Sequence, residues 1–169
     1  LGKLFDFVRD DPVLSGNTLI LACSDNGAEK GAGVSGPFRG FKTHLFEGGI
    51  RSSLVVWGPG LLAKKARGTV NKQSVFSAVD LVPTLLEISE VSHPKGISFD
   101  GESVAEILLG KSKGSRKQDI FFRRPPDRDS FYGVKDLPDL AVRSGKWKLL
   151  CEYDGSDALL YDMAKDRGE

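Results

Sequence analysis

Thr18-Leu19-Ile20-Leu21-Ala22-Cys23-Ser24-Asp25-Asn26-Gly27 is a continuous apolar run that ends in an acidic turn. A strand with one wet face alternates apolar and polar residues, whereas a run without alternation fits a parallel strand covered on both faces. The segment before it reads as a helix. Leu4, Phe5 and Val8 recur at helical spacing, with Leu1 one turn earlier, and Asp11-Pro12 stops the pattern. Ser15-Gly16-Asn17 predicts a turn between the two. The opening of the chain therefore predicts an α/β layer.

Working outward, Ser53-Leu54-Val55-Val56-Trp57 is a second run of this kind, closed by Gly58-Pro59-Gly60. Residues 28–39 between the runs are Gly-rich and without periodicity. Val79, Leu81, Val82, Leu85, Leu86 and Ile88 line a helix, with Ser77 as its cap and Pro83 in its first turns. His93-Pro94-Lys95-Gly96 is the expected terminator, which makes His93 a helix stop. The character then changes. Residues 112–117 read as a charged linker, Ile120-Phe121-Phe122 as a short strand, and the Pro- and Asp-rich residues 125–138 as an exposed loop. Leu140-Ala141-Val142-Arg143, Trp147-Lys148-Leu149-Leu150-Cys151 and Ala158-Leu159-Leu160-Tyr161 are short strands separated by Ser144-Gly145 and Asp154-Gly155, the turn density of an antiparallel meander. The division expected is an α/β portion over residues 1–95 and a small antiparallel β-rich subdomain over residues 96–169.

The 169 residues include 24 basic and 23 acidic side chains, a net charge of +1, which gives no electrostatic footprint for nucleic acid. No apolar run approaches the about 20 residues that a membrane span needs. The two cysteines make no disulfide framework, and the apolar setting of Cys23 predicts a buried, inert thiol.

Two stretches carry candidate chemistry. Asp25-Asn26-Gly27 stands at the carboxyl end of a strand, where open α/β sheets gather their ligands. An Asp carboxylate beside an Asn carbonyl offers hard oxygens suited to Ca²⁺ or Mg²⁺; Asp, Asn and Gly are also the residues of an ordinary tight turn. Arg39-Gly40-Phe41-Lys42-Thr43-His44-Leu45-Phe46-Glu47-Gly48-Gly49-Ile50-Arg51 is the second. Its Gly-Gly pair permits close backbone approach, and Lys42 and Arg51 are cations that a bound oxyanion would need. A hairpin with two solvated cations and a Glu47–Arg51 pair accounts for the same composition.

Taken in order and spacing, Ser24-Asp25-Asn26-Gly27, Pro37-Phe38-Arg39-Gly40-Phe41-Lys42 and Glu47-Gly48-Gly49-Ile50-Arg51 resemble the sulfatase family. Val79-Asp80-Leu81-Val82-Pro83-Thr84-Leu85-Leu86 is similar to that family's helix after the second strand. Phe99-Asp100-Gly101-Glu102-Ser103, Ala141-Val142-Arg143 with Lys146-Trp147-Lys148-Leu149, and Leu160-Tyr161-Asp162-Met163 are similar to segments of its carboxyl-terminal part. The resemblance covers essentially the whole chain. It implies part of a large mixed-sheet, alkaline-phosphatase-like domain followed by the small subdomain.

The resemblance also implies function: hydrolysis of a sulfate ester, of a small molecule or a carbohydrate, by a formylglycine made from Cys or Ser, with Ca²⁺ (rather than Mg²⁺) polarising the sulfate. Asp25 and Asn26 match the second pair of calcium ligands, and Lys42 matches the lysine that contacts sulfate. His44, two residues on, would face the same way as Lys42 in an extended segment and is a candidate acid or base. The same metal-and-lysine arrangement would serve a phosphate or phosphonate ester, and a non-catalytic anion-binding or interaction module is a further alternative. The family's nucleophile and first Asp pair belong to an earlier part of the chain. Ser35-Gly36-Pro37-Phe38-Arg39 fits Ser-x-Pro-x-Arg letter by letter, but follows the Asp-Asn pair and aligns with a Pro-Leu-Arg-Gly loop of the family, so the fit is coincidental. The expectation is a carboxyl-terminal fragment, inactive alone, that packs against the amino-terminal part of the same protein in a periplasmic, secreted or lysosomal setting.

Overall fold

The computed structural model describes residues 1–125 and 137–169. In chain order the elements are α1 (Gly2–Asp10), α2 (Leu14–Asn17), β1 (Ile20–Cys23), α3 (Glu47–Ile50), β2 (Leu54–Trp57), α4 (Leu81–Ile88), α5 (Ala105–Leu108), β3 (Ile120–Arg123), β4 (Leu140–Ser144), β5 (Trp147–Cys151) and β6 (Leu159–Asp162), with short 3₁₀ turns at Lys64–Ala66 and Ala78–Asp80. They form an α/β portion followed by antiparallel β-structure, the fold class expected. Contacts group them into two compact units, Leu1–Ala22 with Leu54–Lys117, and Cys23–Ser53 with Gln118–Glu169. These limits differ from the division at residue 95, because the loop after β1 joins the unit of the later strands and the 96–117 segment joins the earlier one.

The first unit holds α1, α2, α4, α5 and the strand pair β1–β2. Asp11 ends α1 as its C-cap, and its Oδ1 accepts from the N–H groups of Val13 and Leu14, so Ser15-Gly16-Asn17 continues a turn of helix rather than forming a bare turn. β1 begins at Ile20, two residues later than the apolar run, and Ile20, Leu21 and Ala22 are half-buried rather than buried. A strand in a two-stranded sheet has an open edge, which accounts for the exposure. Cys23 is exposed, not buried as its neighbours suggested. Helix α4 follows the expected pattern: the N–H of Ser77 donates to Asp80 Oδ2 (2.7 Å), and Pro83 lies in the first turn, where its missing N–H is harmless. It stops at Ile88, before His93, and Glu90 turns the chain with φ 55°.

Residues 112–117 are more than a linker. Arg116 is buried against Asp80, its Nη1 at 2.9 and 3.0 Å from the two carboxylate oxygens, and Asp80 also accepts from the Glu102 N–H (2.9 Å). The expected Asp100-Gly101-Glu102-Ser103 segment thus serves as a strap. A Cβ on Gly101 would lie 2.0 Å from the Val79 carbonyl oxygen, so only glycine permits the approach.

The second unit is built on a four-stranded antiparallel sheet in the order β3-β4-β5-β6, the meander the turn residues predicted. Its register sets Lys148 opposite both Arg143 and Tyr161, and Leu150 opposite Ala141 and Leu159. That face carries the core: Leu45, Phe46, Leu137, Ala141 and Leu150, with Ile50, Phe122, Leu159 and Tyr161 packed around them. The central part of the loop expected over residues 125–138 lies outside the described residues, and its end, Leu137 and Pro138, is buried.

Candidate functional site

Every candidate residue lies in the loop that follows β1, within the second unit. Asp25 is exposed and Asn26 half-buried. Neither side chain makes a hydrogen bond among the described residues, so their oxygens are available. The next two residues dock the loop. Gly27 N–H donates to Gly49 O (2.8 Å), and Lys42 N–H donates to Ala28 O (2.9 Å). A Cβ at position 27 would sit 1.8 Å from the Gly48 carbonyl oxygen, so any side chain there would force the two backbones apart, and the glycine after the Asp-Asn pair is favoured by contact and not only by turn geometry.

Gly48-Gly49 is the point where the two candidate stretches meet. Gly48 N–H donates to Arg39 O (2.8 Å), and added Cβ atoms would lie 2.3 Å from Gly40 O at position 48 and 2.2 Å from His44 O at position 49. The backbone of 47–49 is therefore wedged between residues 27 and 39–44. Just before it, residues 42 and 43 turn. Thr43 has φ 84°, a left-handed conformation that a β-branched residue adopts at a cost of roughly 1–3 kcal/mol.

That turn corrects one expectation. The segment is not extended, so the condition for Lys42 and His44 to face the same way is not met. Lys42 is partly exposed, with Nζ 3.1 Å from Glu29 Oε2. His44 is 6% exposed; its ring lies against Phe41, tilted by 41° with 4.0 Å between centroids, and its Nε2 has no hydrogen-bond partner among the described residues. Burial, and then the positive charges of Arg124, Lys30 and Arg39, hold its pKa below the ordinary imidazole value. Thr43 Oγ1 and Glu29 Oε1 are likewise buried without a hydrogen-bond partner.

Glu47, the first residue of α3, gathers cations. Its Oε1 is 3.1 Å from Lys148 Nζ and 3.7 Å from Arg143 Nη1, and its Oε2 is 3.3 Å from Arg51 Nη1. Its backbone N–H donates to Glu169 Oε2 (2.5 Å), while Glu169 Oε1 lies 2.6 Å from Lys148 Nζ as a charge contact without hydrogen-bond alignment. The Lys148 and Glu169 side chains are both fully buried. The Glu47–Arg51 pair was expected; Lys148, Arg143 and Glu169 were not named. A signal was present, since period-two alternation puts Lys148 on the face of Leu150. In Ser35-Gly36-Pro37-Phe38-Arg39, Ser35 Oγ donates to Gly48 O (3.2 Å) and Arg39 lies over the Phe46 ring at 3.9 Å and donates to Tyr161 Oη (3.1 Å), which are structural duties.

Among the described residues no group of three or more His, Cys, Asp or Glu side chains gathers as a metal site. Asp25 and Asn26 would thus be a partial set for a cation that takes 6–8 oxygens. No helix of the described residues is long and apolar enough to cross a membrane.

The chain belongs to the sulfatase family: the family described as N-sulphoglucosamine sulphohydrolase, C-terminal, matches residues 36–169. Arylsulfatase A of Bos taurus is 31% identical over 194 aligned residues, which cover 100% of this chain and 36% of the relative. Among solved structures, Ps i-CgsB superposes with a TM-score of 0.76 at 24% identity, over 99% of this chain and 34% of that one, and its structure with k-i-k-neocarrahexaose superposes at 0.75. The phosphonate monoester hydrolase SpPMH of Silicibacter pomeroyi shares the fold at a TM-score of 0.61 and 20% identity, over 99% of this chain and 32% of that one. This chain spans about a third of the length of these relatives.

Proposed function

We propose that the chain is the carboxyl-terminal part of a sulfuric ester hydrolase, in which Asp25 and Asn26 supply oxygen ligands to a calcium ion and Lys42 holds the sulfate group. The observation that supports this reading is the docking of the two stretches on each other through Gly27–Gly49 and Ala28–Lys42 backbone bonds, which brings the backbone of the Asp25-Asn26 turn and of the Lys42 turn into one loop cluster. A bound Ca²⁺ would neutralise sulfate oxygens as charge develops on them. Lys42, a compact point charge, would stabilise the same oxygens from the protein side, and Glu29 keeps it oriented before substrate arrives. His44 is buried beside the Lys42 turn, and its burial and the neighbouring positive charges hold its pKa below the ordinary imidazole value.

The formylglycine nucleophile and the other calcium ligands are assigned to the amino-terminal portion of the protein. This chain by itself is expected to be inactive and to pack against that portion; the open edges of β1 and β2, with Val55 at 55% exposure, support such packing. A carbohydrate sulfate is the favoured substrate class, by analogy with the carbohydrate complex of the solved relative. Phosphonate hydrolysis is a second reading, because SpPMH shares the fold, but the family match and the arylsulfatase identity favour sulfate.

The test uses the full-length protein with an aryl sulfate, a sulfated oligosaccharide and an aryl phosphonate. Lys42→Ala is expected to lower kcat/KM for sulfate by about 10²–10³-fold, and chelation of calcium to abolish turnover. Undiminished activity in the Lys42 variant would sink the assignment, and a preference for phosphonate would favour the second reading.

A further inference from the structure

Lys148 is the feature that the proposed chemistry leaves unexplained. It is fully buried on the core face of β5, beside Leu150, where an apolar side chain would extend the cluster of Leu45, Phe46, Ala141 and Leu150. Burying an ammonium group there requires two carboxylates at 3.1 and 2.6 Å, Glu47 and Glu169, one of them itself fully buried. Replacing a buried ion network as a whole by well-packed hydrophobic residues is often neutral or stabilising, whereas removing one member strands the others, so stability alone does not call for a charged group of Lys148, Glu47 and Glu169 at this place. A charge does something an apolar residue cannot. It fixes the position of its partner.

The partner's location decides what is being fixed. Glu47 is followed by Gly48 and Gly49, whose backbone is wedged between Gly27 on one side and Arg39, Gly40 and His44 on the other. Glu47 is anchored at both ends: its carboxylate by Lys148, Arg143 and Arg51, and its N–H by Glu169, which Lys148 also holds. A shift of Glu47 would carry Gly48-Gly49 with it and move the Asp25-Asn26 turn and the Lys42 turn out of register. With Cβ-to-oxygen separations already at 1.8 to 2.5 Å for any residue larger than glycine, the wedge tolerates no slack.

We propose that Lys148 is a positioning residue, acting through Glu47 and Glu169 to hold the Gly48-Gly49 wedge that aligns Asp25-Asn26 with Lys42. This rests on the reading of those residues as a calcium- and sulfate-binding set, although the alignment itself is measurable without turnover.

The experiment compares wild-type full-length protein with Lys148→Met, Lys148→Arg and Glu169→Gln. In Lys148→Met, amide hydrogen exchange is expected to rise at Gly27, Lys42, Gly48 and Gly49, the four N–H donors of the wedge, and to stay at the wild-type rate in α4. Calcium affinity, titrated with Ca²⁺ alone, is expected to fall by about tenfold, the size of effect seen for groups that orient metal ligands indirectly. Lys148→Arg should restore part of both. Glu169→Gln, which keeps an acceptor for the Glu47 N–H, should show the same pattern more weakly, and it decides the matter if Lys148→Met does not fold. Wild-type exchange at the four amides in the variants, or a uniform rise that includes α4, would overturn the proposal. A wedge that loosens as expected in a protein with no sulfate ester hydrolysis would uphold the positioning role and remove the functional reading instead.

Discussion

Asp80 and Glu47 are both carboxylates removed from water, one in each compact unit, and they are satisfied in different ways. Among the described residues Asp80 pairs with one cation, Arg116, and accepts hydrogen bonds from the N–H groups of Ser77 and Glu102. Its contacts tie three segments of one unit together, and none reaches a candidate site residue. Glu47 has three cations around its carboxylate and gives its own N–H to a second buried acid. It borders the glycine pair on which the candidate site is assembled. Burial of an acid therefore says little about its purpose. What distinguishes a staple from a positioning device is what the neighbouring backbone touches.

The largest effect is expected at Asp80. Asp80→Ala strands the buried guanidinium of Arg116 and is expected to destabilise the protein by about 3–5 kcal/mol, read from the urea midpoint of the full-length protein. A loss below about 1 kcal/mol would put Asp80 among the weak surface pairs and end its role as a staple. Gly27→Ala comes next. Its methyl group meets the Gly48 carbonyl, and overpacking of this kind costs about 1–3 kcal/mol. Calcium titration should report a larger loss than the unfolding midpoint does, because the overlap lies beside Asp25 and Asn26. Gly16→Ala, where an added Cβ has nothing within 4 Å, is the matched control and should leave calcium affinity untouched. Equal effects from the two glycines would remove the wedge as a special place.

The smallest effect is a pH dependence. The His44 pKa is lowered in the folded state by burial first and by neighbouring cations second. A depressed pKa contributes stability that is present above the ordinary value of 6.5 and is lost as pH falls through the folded value, since the unfolded chain takes up the proton more readily. Stability should therefore decline between about pH 8 and about pH 5 more steeply in wild type than in His44→Gln. Glu169 pulls the other way. Burial raises its pKa, so its share is fully present below the ordinary carboxylate value and fades as pH rises through the folded value. Parallel profiles for wild type and His44→Gln would show that His44 does not titrate in the way its burial requires.

Much of the fold is legible along the chain because it rests on local rules. The helical spacing before Asp11, the Ser77 and Pro83 start of α4, and the turn residues between β4, β5 and β6 are read directly from neighbours in sequence. The misreadings share one cause. Cys23 was expected inside because its neighbours are apolar, yet it is exposed at the end of β1. Residues 112–117 looked like a solvated linker because they are charged, yet Arg116 is buried on Asp80. Lys42 and His44 would face the same way only in an extended segment, and residues 42 and 43 form a turn instead, with Thr43 at φ 84°. In each case a partner distant in sequence, or an unusual backbone angle, overrides the local signal.

Local sequence was enough for α1, α4 and the meander of β4, β5 and β6, for the acidic turn after β1, and for each short motif whose order along the chain marks the sulfatase family. Only the tertiary structure decided that Lys148 and Glu169 meet at Glu47, 101 and 122 residues away in the chain, and that glycine is favoured at position 27 because Gly48 lies against it. Such pairings follow from desolvation and close packing, which have no signature in the sequence until the fold has brought the partners together.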